Sequence, residues 1–179
     1  GSAKEQYLAG IRDVIDRGVF TMVRQRAMLG LGHAILTGEP LIGDQPFGVV
    51  LSDDLCLNRD GPGVLAQMAA LYEEHQCSIV AVQEVPREEV DKYGVVAGTT
   101  ELDGLTRVSE MVEKPSPAEA PSNLAVIGRY ILTPDIFDII RNTPPGKNGE
   151  VQLTDALQAQ AREGRVLAYQ FEGLRFDCG

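Results

Sequence analysis

Two short, unbroken apolar runs set the strongest limit on how this chain can fold. Phe47-Gly-Val-Val-Leu51 ends abruptly in Ser52-Asp53-Asp54, and Ser78-Ile-Val-Ala-Val-Gln83 follows a helical pattern. Apolar runs without polar alternation read as strands covered on both faces, the condition of central strands in a parallel sheet. Residues 3–17 space Tyr7, Leu8, Ile11, Val14 and Ile15 as a helix, with Gly18 as its stop. A strand is expected over Val19 to Arg24. A glycine-rich turn over Met28–Ala34 then leads to a short helix near Ala34–Gly38. The pattern over Val64–His75 places Val64, Leu65, Met68, Leu71 and Tyr72 on one helical face. Helix and strand taken in turn argue for an α/β fold.

After Pro86 the texture changes. Tyr93–Gly98, Leu105–Val112 and Asn123–Leu132 read as successive strands, with Asp103-Gly104 as a hairpin signal. Thr133-Pro134 reads as the N-cap and first residue of a helix running through Arg141. Thr143–Gly149 reads as loop, Thr154–Glu163 as a helix stopped by Gly164, and Arg165–Phe171 as a last strand. The expected architecture is one α/β domain over residues 3–179, a mixed, mostly parallel sheet flanked by helices. Residues 3–85 form its parallel part and 86–179 the part with antiparallel strands. Gly1-Ser2 reads as an expression scar.

Composition narrows the function classes. The 179 residues suit one domain with its own apolar core, and 44% hydrophobic against 23% charged residues excludes wholesale disorder. Sixteen Lys+Arg against 26 Asp+Glu give a net charge of −10, which repels a nucleic-acid backbone. Small phosphorylated ligands stay possible, because a few local cations or a metal offset a negative field. No run approaches the roughly 20 apolar residues that span a bilayer, and no signal-peptide pattern opens the chain. A soluble, cytoplasmic protein is expected. Cys56, Cys77 and Cys178 fit neither a disulfide framework nor a zinc pattern and read as reduced, small apolar fillers.

Ligands of open parallel sheets bind beyond the carboxyl ends of strands. Asp53-Asp54 and Asp177 have that placement. Carboxylates brought together there can hold Mg²⁺ beside phosphates, although aspartates after strands are also ordinary turn formers and caps. Gly30-Leu-Gly32 either lets backbone approach a ligand or simply turns tightly. Gln25 carries an amide able to read a base edge, and His33 is either a ligand or base or a structural residue at a helix start. Glu113-Lys114-Pro115 closes a strand, where Pro115 ends the ladder and makes a bend reasonable. From a bent end, Glu113 can accept sugar hydroxyls while Lys114 neutralises a phosphate; the alternative is a solvated charge pair at the rim. No Ser-His-Asp order, H-E-x-x-H or P-loop is present.

An ordered set of segments then becomes recognisable: Leu31-Gly-His-Ala34, Val50-Leu-Ser-Asp-Asp-Leu55, Lys92-Tyr-Gly-Val-Val96, Met111-Val-Glu-Lys-Pro115, Pro121-Ser-Asn-Leu-Ala125, Ile127-Gly-Arg-Tyr130, Glu150-Val-Gln-Leu-Thr-Asp155 and Phe176-Asp-Cys-Gly179. Together they closely resemble the bacterial UTP–glucose-1-phosphate uridylyltransferases, also called UDP-glucose pyrophosphorylases. The Met-Val-Glu-Lys-Pro and Phe-Asp-Cys-Gly segments favour these over their thymidylyltransferase relatives. The resemblance implies a nucleotide-diphospho-sugar transferase fold, with 86–179 as its sugar-binding part. It implies Gln25 and Gly30 at the uracil, Asp53 and Asp177 on Mg²⁺, and Gly94, Glu113, Asn123 and Gly128 around the glucose, with Lys114 at its phosphate. Lys114 and Asp53 are the implied catalytic pair. The implied reaction is attack by a glucose-1-phosphate oxygen on the α-phosphorus of UTP, giving UDP-glucose and pyrophosphate. Charge neutralisation and in-line positioning carry such chemistry without a covalent nucleophile.

The sequence departs from the family at both ends. The glycine-rich G-x-G-T-R loop, the P-K-E-M segment and the helices after D-C-G are absent, so the chain reads as an internal fragment of a homo-oligomeric enzyme. By itself the fragment is expected to be inactive. A non-catalytic sugar-nucleotide-binding or structural module and a thymidylyltransferase are the competing readings.

Overall fold

The strand Leu124–Leu132 is buried at every position but its first, and the fold is built around it. The computed structural model describes residues 2–102, 104–146 and 149–178. The helices are α1 (Ala3–Arg17), α2 (Leu31–Leu36), α3 (Glu39–Ile42), α4 (Val64–His75), α5 (Ile136–Asn142) and α6 (Leu153–Arg162). The strands are β1 (Phe47–Val50), β2 (Asp54–Leu57), β3 (Ser78–Glu84), β4 (Gly94–Leu102), β5 (Leu105–Glu113), β6 (Leu124–Leu132), β7 (Val166–Gln170) and β8 (Leu174–Asp177). A 3₁₀ turn over Arg87–Lys92 precedes β4.

Six strands form one sheet in the order β1-β6-β3-β7-β5-β4, and β4 also reaches back to the start of β6. Strands from both halves of the chain interleave in it. The fold is the expected mixed α/β, but the sheet is not mostly parallel. Strands β1, β3, β4 and β7 run one way. Because β6 enters in the opposite direction between β1 and β3, and β5 does so between β7 and β4, only β3–β7 is a parallel ladder among the described strands. Strand β2 pairs with β8 as a separate two-stranded antiparallel ribbon.

The pleat sends alternate side chains to two cores. From β3 and β6, Val80, Val82, Val126, Tyr130 and Leu132 face a cluster shared with Ile136, Ile140 and Leu157 of α5 and α6. Ile79, Ala81, Ile127 and Ile131 face a second cluster with Val64 and Met68 of α4. A run apolar at every position is what a strand between two helical layers requires, as Ile79 to Val82 show.

Several expectations need correction. Phe47–Leu51 is not a central strand: β1 lies at one end of the sheet, pairs with β6, and alternates half-buried and exposed residues. No ladder forms over 19–24; Val19 and Met22 are 97% and 99% exposed, since no strand lies beside them. Helix α1 forms as expected, capped by Ser2 and Glu5, but Gly18 follows it in extended rather than left-handed conformation. Helix α5 starts later than expected, with Asp135 at its N-cap. The Thr133 hydroxyl is occupied elsewhere, accepting from Gln160 Nε2 at 2.9 Å and lying 3.2 Å from Ser78 Oγ. Gly164 ends α6 at φ +70° as a glycine stop should. Gly104 turns at φ +73°, while its neighbour Asp103 lies outside the described residues, as do Gly1, Lys147, Asn148 and Gly179. All three cysteines are free, and Cys178 is exposed rather than a filler. Among the described residues no helix is long and apolar enough to cross a membrane.

Candidate active site

A cleft of about 490 Å³ opens where the chain leaving β1, the β2–β8 ribbon, the β4–β5 strand ends and the start of α6 converge over β6. Its floor includes Gly128. The Leu51 N–H donates to the Gly128 carbonyl at 2.9 Å, and the Gly128 N–H donates to Asp54 Oδ2 at 2.9 Å. A Cβ at Gly128 would lie 2.6 Å from Leu51 Cβ, so only glycine lets the two segments approach this closely.

The two adjacent aspartates part company. Asp54 is buried, while Asp53 is exposed at the cleft. Asp54 Oδ1 accepts from Arg175 Nε. Arg129, also buried, donates to the Leu51 and Gly128 carbonyls at 3.1 and 2.7 Å and also to that of Asp54. Asp54 is directly opposite Asp177 in the ribbon, and the Cys178 N–H donates to the Asp53 carbonyl at 2.8 Å. This places Asp53 and Asp177 at one rim of the cleft.

Elsewhere in the cleft lining, Glu113 pairs with Gly94 across the β4–β5 ladder. The Thr154 hydroxyl, from the first turn of α6, donates to Glu113 Oε2 at 2.6 Å. Lys114 adopts φ +47°, a left-handed turn between Glu113 and Pro115, and its N–H donates to the Tyr93 carbonyl at 2.9 Å. In a regular strand two successive side chains point apart; after this turn both Glu113 and Lys114 line the cleft.

Among the cations lining the cleft, Lys92 pairs with Glu89 at 3.3 Å, which holds its pKa above the ordinary value. Burial works against the charge on Arg175, but hydrogen bonds to Tyr93 and Asp54 and the Asp54 charge outweigh it and push its pKa up. Lys114 makes no ion pair among the described residues. Tyr130 lies on the cleft floor, and burial, with the charges of Glu113, Asp54 and Asp53, raises its pKa so the phenol stays protonated.

Asp53, Gly94, Glu113, Lys114, Gly128 and Asp177 therefore share one cleft, whereas Gln25, Gly30 and Asn123 do not line it. Gln25 Nε2 donates to the Gly30 carbonyl at 3.1 Å and meets His33 Nδ1 at 2.8 Å. Gly30, at φ +91°, packs where a Cβ would come within 2.9 Å of the Val151 carbonyl oxygen. The Asn123 carbonyl accepts the Val85 N–H at 3.0 Å. Sequence reasoning missed Arg175, Tyr93, Thr154 and Tyr130. Only Arg175 carried a signal, lying two residues from Asp177 and so on its face of a strand.

The nucleotidyl transferase family model matches residues 5–179. The chain belongs to the nucleotidyl transferase family. It is 66% identical over 176 residues to the UTP–glucose-1-phosphate uridylyltransferase of Pseudomonas aeruginosa, covering 98% of this chain and 63% of that relative. It therefore spans less than two thirds of that relative's length. Among solved structures it resembles UDP-glucose pyrophosphorylase complexed with UDP-glucose, with a TM-score of 0.95 and 58% identity over 99% of this chain and 68% of the other. It also resembles the UTP-bound enzyme from Acinetobacter baumannii, with a TM-score of 0.81 and 36% identity over 98% of this chain and 61% of that one.

Proposed function

We propose that this chain carries the sugar-phosphate and metal side of a UTP–glucose-1-phosphate uridylyltransferase. The supporting observation is the left-handed turn at Lys114, which brings a carboxylate and an ammonium with no ion pair among the described residues into the cleft that Asp53 and Asp177 also line. Glu113 accepts glucose hydroxyls, Lys114 binds the sugar's phosphate, and Gly94 and Gly128 flank the ring, with Asn123 meeting it from beyond the cleft lining. Gln25 and Gly30 meet the uracil. An oxygen of the glucose-1-phosphate phosphate attacks the α-phosphorus of UTP, a new P–O bond forms, and the bond to pyrophosphate breaks. Lys114 holds the attacking phosphate in line and offsets its charge.

Asp53 and Asp177 suit Mg²⁺, which takes oxygen ligands and commonly keeps one or two carboxylates beside substrate phosphates. Among the described residues no three His, Cys, Asp or Glu side chains are grouped for a metal, so Asp53 and Asp177 would hold the ion as a carboxylate pair beside substrate phosphates. The ion's contribution is charge neutralisation on the phosphates. We assign the protein to the cytoplasm, where UTP is made, and to a homo-oligomer.

The test is pyrophosphate release by the full-length gene product from UTP or dTTP with glucose-1-phosphate. Turnover with UTP is expected. Binding of UDP-glucose without turnover would mark a non-catalytic module instead, and a preference for dTTP a thymidylyltransferase.

A further inference from the structure

Arg175 lines the cleft, and an arginine beside a phosphate site ordinarily reads as an anion binder. Its surroundings give it different work. The side chain is only 9% exposed. Nε donates to Asp54 Oδ1, Nη2 to Asp177 Oδ2 at 3.0 Å, and Nη1 to the Tyr93 hydroxyl at 3.4 Å. The guanidinium also lies 5.1 Å from the centre of the Tyr93 ring. The Tyr93 hydroxyl in turn donates to Asp177 Oδ2 at 3.2 Å. Asp54 takes the Gly128 N–H on its other oxygen. An unbroken path of hydrogen bonds thus runs from the β6 backbone through Asp54 and Arg175 to Asp177.

Asp54 and Asp177 are also direct cross-strand partners, and like charges so placed repel. A guanidinium shared between them removes that repulsion and, being a planar fork, fixes direction as well as charge. We propose that Arg175 is a positioning residue that sets Asp177 beside Asp53 for one divalent cation, with Asp54 as its anchor and Tyr93 as a second tether. The inference rests on the reading of Asp53 and Asp177 as the cation-holding pair.

A purely electrostatic role for Arg175 predicts the opposite sign. A nearby positive charge repels a cation, so loosening Arg175 would then leave cation binding unchanged or tighten it. Mn²⁺ titration of the full-length gene product, read by the electron paramagnetic resonance signal of free Mn²⁺, separates the two, with melting temperatures measured alongside. Asp177→Asn comes first: unchanged Mn²⁺ affinity would remove the cation-holding pair and the inference with it. Given a loss there, Arg175→Lys keeps the charge but not the fork, and should weaken Mn²⁺ binding about 10-fold, the usual scale for a residue that orients a metal ligand. Unchanged or tighter binding in this variant would overturn the positioning role while leaving the pair intact. If Arg175→Lys does not fold, Tyr93→Phe decides, because it keeps the ring and loses one tether. About threefold weaker Mn²⁺ binding at an unchanged melting temperature supports the inference, and wild-type affinity refutes it.

Discussion

The arm formed by α1 and residues 18–28 and the sheet around β6 start from comparable apolar sequence and end in opposite surroundings. In the arm, Val14 and Ile15 of α1 are 65% and 52% exposed; in the sheet's helical cover, Val64 and Met68 of α4 are buried. Val19 to Val23 form neither helix nor ladder, while Ile79 to Val82 are sealed between two helical layers. A periodic apolar face says that a helix can be covered, not by what. An extended apolar segment becomes a strand only where a neighbour supplies N–H and C=O partners. Stability in this molecule therefore depends on ladder partners rather than on hydrophobicity along the chain.

Paired core substitutions test that contrast most severely. Ile79→Ala should cost about 2–5 kcal/mol in urea unfolding, the range for a fully buried branched side chain. Met22→Ala, equally apolar, should cost less than about 0.5 kcal/mol. Comparable losses would mean that the arm packs against the domain in solution and the contrast is void.

The same division should appear in ligand use, since the arm and the cleft hold different proposed contacts. Lys114→Met should weaken use of glucose-1-phosphate about 10-fold or more, as losing a charge-assisted hydrogen bond does, with UTP binding little changed. Gln25→Ala should do the reverse. Initial rates of the full-length gene product with each substrate varied in turn check both. Identical sugar and nucleotide effects for the two variants would dissolve the assignment of separate roles.

What the sequence made legible follows the same physics. Helix α4 and strand β3 could be read because each is specified locally, one by 3.6-residue spacing and one by an apolar run. The reversed insertion of β6 could not, because strand order depends on contacts across the chain: Val49 of β1 and Val80 of β3 both flank Tyr130. The ribbon β2–β8 escaped notice because four-residue strands carry almost no periodic signal, and Asp53-Asp54 resembled a turn. In the site, Pro115 marked the bend that brings Glu113 and Lys114 together. Nothing in the sequence tied Arg175 to Asp54, 121 positions apart.

Gly128 sharpens the picture of β6 as both core and cleft floor. Gly128→Ala would place a Cβ 2.6 Å from Leu51 Cβ and 2.9 Å from Asp54 Oδ2. The expected loss is about 1–3 kcal/mol, the cost of overpacking, together with weaker UDP-glucose binding. A stability curve matching the unsubstituted protein would show that the chain after β1 yields easily and that the floor is soft.

The smallest expected effect concerns how the sheet holds its own covering helices, for which the arm has no counterpart. Asp135 Oδ2 accepts from Arg165 Nη1 at 2.6 Å and Gln160 Nε2 at 3.0 Å, joining α5, α6 and the start of β7. In α1, the Arg17–Asp13 pair stays within one helix. Burial alone would raise the Asp135 pKa, but hydrogen bonds from Thr133, Arg165 and Gln160 outweigh it and hold the carboxyl below its ordinary 3.8. A carboxylate with a depressed folded pKa contributes stability that is present above the unfolded value and is lost as pH falls through the folded one. With the side chain 42% exposed, solvent screening keeps that contribution under about 1 kcal/mol. Urea midpoints of the unsubstituted chain and Asp135→Asn should therefore differ at pH 6 and converge as the pH drops below 3.8. A gap that stays constant across that range would mean that the network holds α5 and α6 by shape alone, and that its charge contributes nothing.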